Sequence, residues 1–170
     1  YSSTDLQTWS LSPKKSESKT VQPERSTATP APAATNPTVI LKSAYNQFSI
    51  AVQKSGGLFD DSRKVNVAGD PKRTADNYRT VSRNADALLA QLTVPPDSPS
   101  DITAVMVPLK ESLSLLGKST SIMADYLDGK LTLASPNPDW VAKSQEYAAQ
   151  GQARLKEAQQ ALTGLRKKIE

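Results

Sequence analysis

The sequence predicts an all-α chain, an antiparallel up-and-down four-helix bundle behind a disordered or extended N-terminal tether. Four segments place an apolar or small residue at every third and fourth position. The clearest run is Val141, Ser144, Ala148, Gly151, Leu155, Ala158, Leu162, Leu165 and Ile169, the heptad seam of a helix packed on other helices. Proline follows a helix-capping residue at Asn36–Pro37, Asp70–Pro71, Ser98–Pro99 and Asn137–Pro138. These pairs mark four helix starts, where the N–H that proline lacks would have no partner anyway. Composition agrees: 37% of the 170 residues are hydrophobic and 5% aromatic, low for a sheet-based core and normal for one built of Leu, Ala, Ile and Val.

Residues 1–36 read as the tether. Ser26 through Thr35 contains only Ser, Thr, Ala and Pro, so it has little apolar surface to offset the entropy of ordering. Stalks of this composition hold folded domains away from a membrane or wall, which points to an extracytoplasmic site. Leu6, Trp9 and Leu11 form a short apolar patch within it, placed to dock on the bundle or to lie beside a membrane. Tyr1 is not an initiator methionine, so any membrane attachment is expected to come from a segment upstream of it.

The first helix is predicted over about 37–66, with Leu41, Ala44, Phe48 and Ala51 on its seam. Gly56–Gly57 would ordinarily end it, yet Ser55, Leu58, Ser62 and Val65 keep the phase. One continuous helix with a weak point of about 1 kcal/mol per glycine accounts for this; a stop at Ser55 is the alternative. The second helix, about 71–93, carries Ala75, Tyr78, Ser82, Ala85, Leu89 and Leu92 and stops before Pro95–Pro96. The third, about 99–127, carries Ile102, Met106, Leu109, Leu113, Leu116, Thr120, Met123 and Leu127, and Asp128–Gly129 ends it. Pro108 is expected to kink it near Ala104. The fourth runs over about 138–169. Short links make successive helices antiparallel, and Leu131 and Leu133 are expected to fold over the bundle end.

Much chemistry is excluded. The chain has neither cysteine nor histidine, which removes thiol nucleophiles, disulfides, Cys/His zinc sites, histidine-ligated haem and every imidazole triad. It has no phosphate-binding glycine loop and no nucleophile elbow. Asp60–Asp61 lacks the spaced oxygen ligands of a calcium loop and reads as a solvated face. A formal charge of +4, with basic clusters at Lys14–Lys15, Lys72–Arg73 and Arg166–Lys167–Lys168 and no interleaved aromatics, does not suit nucleic acid. The last cluster sits where a helix C-terminus favours cations. No catalytic residue, metal or cofactor is expected, and the partner is expected to be another protein.

Two candidate sites remain. Counting about 1.5 Å per residue from each predicted start places Ser55, Ser82, Thr120 and Ala148 at one height, with Ser144 and Gly151 about a turn to either side. That small, polar layer is either close helix approach with hydroxyls bonded to backbone, or a pocket in which Ser55, Ser82, Thr120 and Ser144 hold a ligand. Trp140, Tyr126 and Tyr147 form either edge packing or an exposed partner patch. The first functional reading is a non-enzymatic, tethered, extracytoplasmic accessory or protein-interaction module. The alternative is a sensor or solute-binding bundle using the polar layer.

Overall fold

In a computed structural model, the structure describes residues 36–93, 97–131 and 139–170; the tether, with Leu6, Trp9 and Leu11, lies outside them. The compact unit Pro37–Glu170 contains four helices: α1 Pro37–Lys64, α2 Pro71–Gln91, α3 Ser100–Leu127 and α4 Trp140–Ile169. Asp70 caps α2 by accepting from the Arg73 N–H at 3.2 Å, with Pro71 in the first turn. Two starts differ from the pattern in the sequence. α3 has Pro99 itself at the cap position and no side-chain cap bond. α4 is capped by Asp139, whose carboxylate accepts from the Val141 and Ala142 N–H groups, while Asn137–Pro138 lies outside the described residues. A carboxylate directly before the first helical residue reaches two orphan amides and complements the positive helix end, so it sets the boundary.

α1 passes through Gly56–Gly57 without a break, and neither glycine has a positive φ. α3 likewise continues through Pro108, which is buried. Its other end closes with Gly129 at φ 74°. There the Gly129 N–H donates to the Tyr126 carbonyl, and the Lys130 N–H donates to that of Asp125 at 2.9 Å. This is a Schellman closure, and its left-handed residue favours glycine. Leu131 is half-buried, and Leu133 lies outside the described residues.

Long-range contacts fix the directions. Lys168 reaches Asp101 and Arg154 reaches Glu111, so α3 and α4 are antiparallel. Arg79, near the start of α2, bonds Asp128 at the end of α3. α1 and α3 form the short diagonal of the bundle; α2 and α4 do not come within 8 Å of each other, Cα to Cα. The core runs through Phe48, Ala51, Val52, Phe59, Val81, Ala85, Leu88, Val105, Leu109, Leu113, Leu116, Leu155, Ala158, Leu162 and Leu165. On α2 the expected seam residues Ala75, Tyr78, Ala85 and Leu92 are buried, but Val81 and Leu88 are buried in place of their half-buried neighbours Ser82 and Leu89. On α1, Phe59 takes the place expected of Leu58. Phe59 and Val81 bury more apolar area than Leu58 and Ser82 beside them, which favours turning them towards the core.

Candidate functional site

The four predicted ligand-binding hydroxyls do not share a layer. Gly151 packs at one level with Phe59 and Ser112, and Ser144 at another with Ser119. The second level lies seven residues from the first along α3 and α4. Ser55 is four residues from Phe59 in the opposite direction. Eleven residues of rise, about 16 Å, therefore separate Ser55 from the Ser119–Ser144 level and from its neighbour Thr120. The expected common height assumed that all helices start on one plane. Instead, the first buried residue of α1 is Phe48, and Val39 and Ile40 before it are exposed. Beyond its exposed first turn, α1 packs on the core through Leu41, Ala44 and Tyr45; it begins well before the level at which α3 starts, so its numbering slides against that of α3.

Each of these hydroxyls is bonded to backbone. Ser55 Oγ donates to the Ala51 carbonyl at 2.8 Å. Thr120 Oγ1 donates to the Leu116 carbonyl at 2.9 Å, with the Gly117 carbonyl at 3.3 Å. Ser82 Oγ crosses from α2 to the Gly117 carbonyl at 3.4 Å. Ser144 Oγ donates to the Ser119 carbonyl at 2.8 Å. That uses its only proton, so the Ser119 hydroxyl donates to Ser144 Oγ across 3.0 Å. Ser55 and Thr120 thus bond within their own helices, while Ser82 and the Ser144–Ser119 pair fasten helix to helix; the seam reading missed Ser119 because it lies one position off the apolar stripe. Ser112 Oγ, fully buried where α4 comes closest, has no bonding partner.

The open surface is elsewhere. Because α2 and α4 stay apart, the outer face of α3 between them is uncovered and floors a groove of about 440 Å³. Ser114, Gly117, Lys118 and Ser121 form the floor, and Ser82, Asp86 and Leu89 from α2 and Tyr147 from α4 form the walls. A second groove, sharing Ser114 and Lys118, continues along α4 past Gln150 and Arg154. The Lys118 and Lys143 ammonium groups lie 5.8 and 5.1 Å from the centre of the Tyr147 ring, within reach of its negative face. Of the three aromatics read as a partner patch, Tyr147 lines this groove. Tyr126 and Trp140 are half-buried near the bundle end and do not line it.

Charged groups concentrate at the α2–α3 end. The Arg79 guanidinium bonds Asp128 and lies beside Asp76 and Asp125. That bond, helped by Lys130 and Lys72, holds the Asp128 carboxyl below its ordinary range. Burial pushes the Tyr78 hydroxyl up. Among the described residues no group of three or more acidic side chains is placed to hold a metal ion, and no helix is long and apolar enough to cross a membrane. Comparison with protein-family models, curated proteins and solved structures finds no match.

Proposed function

We propose that this protein is a non-enzymatic interaction module, tethered through residues 1–36 outside the cytoplasm, and that it receives a segment of another protein in the groove over α3. The observation that carries this reading is the uncovered α3 face between α2 and α4. A gap between α2 and α4, with Ser114, Gly117 and Ser121 on its floor, suits a helix or strand-like segment laid along it. The lining supports specificity more than tight burial. Ser114 and Ser121 offer hydroxyls, Asp86 and Lys118 offer opposite charges, and Leu89, Ile122 and the Tyr147 ring supply limited apolar contact. Such a face suits a reversible complex whose register is set by charge and hydrogen bonds. The core hydroxyls are engaged with backbone, so no ligand role is proposed for Ser55, Thr120 or Ser144.

A photoactivated cross-linker at Ser121, in the protein expressed in its own cells, tests the reading. A discrete adduct from Ser121, absent when Lys118→Glu is added and absent from a cross-linker at Gln159 on the exposed side of α4, is expected. Adducts that ignore Lys118→Glu, or that form equally from Gln159, would refute it.

A further inference from the structure

A second open face lies on the other side of the molecule, between α1 and α2. Its groove, about 280 Å³, is lined by Lys54, Gly57, Leu58, Asp61, Asn84, Ala87, Leu88 and Gln91. Along α1 and one residue past its end, the stripe reads Ile50, Lys54, Gly57, Leu58, Asp61 and Val65, all within an arc of about 100° at 3.6 residues per turn. Ile50 is 55% exposed. Lys54 and Asp61 are exposed and make no ion pair among the described residues, whereas nearby Asp60 is held by Arg63. A Cβ at Gly57 would meet nothing within 4 Å, so no contact inside this bundle calls for a glycine there.

The stripe is complementary to itself when reversed. An antiparallel copy centred between Gly57 and Leu58 sets Lys54 against Asp61 of the other chain, and Asp61 against its Lys54. It also sets Leu58 into the hollow at Gly57 and Ile50 against Val65. Every contact then appears twice, as a two-fold interface requires. The α2 wall offers Asn84, Ala87 and Gln91, small or neutral side chains that oppose no charge on the incoming helix. We propose that this face pairs with a second copy of the same chain, α1 against α1, through the Lys54–Asp61 pairs and the Leu58–Gly57 knob and hollow. The dimer would be weak, since the contact is short and half polar. It uses the face away from the α3 groove, so a dimer would present two partner grooves.

Sedimentation equilibrium of the full chain, up to about 1 mM protein at low salt, tests this. The parent is expected to dimerise. Lys54→Glu and Asp61→Lys are each expected to weaken self-association at least tenfold, because like charges then oppose across the two-fold axis. An equimolar mixture of the two variants is expected to dimerise again. In the mixed pair the introduced glutamate of one chain meets the introduced lysine of the other, and the remaining Lys54 and Asp61 meet at the second contact. Gly57→Gln is expected to remain monomeric with unchanged or higher helicity, because its side chain fills the hollow while its Cβ meets nothing within 4 Å and glutamine favours the helix over glycine. A parent that stays monomeric throughout overturns the proposal and leaves the stripe for a helix of another protein. Single variants that dimerise like the parent, or a mixture that does not recover, overturn it as well.

Discussion

Three glycines and three serines show how little a residue type says without its neighbours. At Gly56 a Cβ would meet nothing within 4 Å, whereas at Gly151 it would lie 2.9 Å from Phe59 Cζ and 3.2 Å from the Ser112 carbonyl oxygen. Gly56→Ala is therefore expected to stabilise the protein by about 0.5–1 kcal/mol, through helix propensity and unfolded-state entropy. Gly151→Ala is expected to destabilise it by about 1–3 kcal/mol through overpacking. Urea melts at low protein concentration check both, and Gly57→Ala should follow Gly56. The serines divide in the same way. Ser144→Ala breaks a buried bond to α3 and strands the Ser119 hydroxyl, at a cost of about 1–3 kcal/mol, while Ser112→Ala removes a hydroxyl that has no partner and should be neutral or stabilising. Asp128 adds a pH dependence. Its folded-state carboxyl is held low by the Arg79 bond, so its contribution is present above the unfolded value of about 3.9 and fades as pH falls through the lower folded value. The melting temperature of Asp128→Asn should fall below the parent's at pH 7 and converge with it near pH 2, where a constant gap would refute the assignment.

At the scale of helices, most of the fold was legible because its signals are local. The Asn36–Pro37 and Asp70–Pro71 starts, the Asp128–Gly129 stop and the heptad phase through Gly56–Gly57 depend on neighbours within a few turns, and α1, α2 and the end of α3 follow them. What was not legible depends on how helices slide and rotate against one another. The offset of α1, which moves Ser55 away from Thr120, is set by where Phe48 and Phe59 find cover. The burial of Val81 in place of Ser82 on α2 is set by the same competition. Position in α3 should dominate mutational cost, because α3 packs more extensively than any other helix, chiefly on α4 and α2. Leu113, fully buried, is expected to cost about 2–5 kcal/mol as Ala, against under about 0.5 for exposed Gln159→Ala, by denaturant melt. Equal small effects would mean that Leu113 does not lie in the packed core.

For the whole molecule, an inside that holds the helices together is distinct from the open α3 groove proposed to receive a partner. The sequence singled out the core hydroxyls, but it could neither align Ser55 with the others nor tell a fastening from a pocket, since that depends on helix offset and on which carbonyl each hydroxyl reaches. It singled out Tyr147, but could not show that the gap between α2 and α4 gives it a groove with Lys118. The most direct test pairs two variants with two measurements, thermal melting and cross-linking from Ser121. Ser144→Ala should lower the melting temperature and leave the cross-linked adduct unchanged at temperatures where the variant is folded. Lys118→Glu should abolish the adduct and leave the melting temperature within about a degree, as expected for an exposed substitution. The opposite pattern, with adduct lost in folded Ser144→Ala and retained in Lys118→Glu, would place recognition inside the bundle and contradict the account.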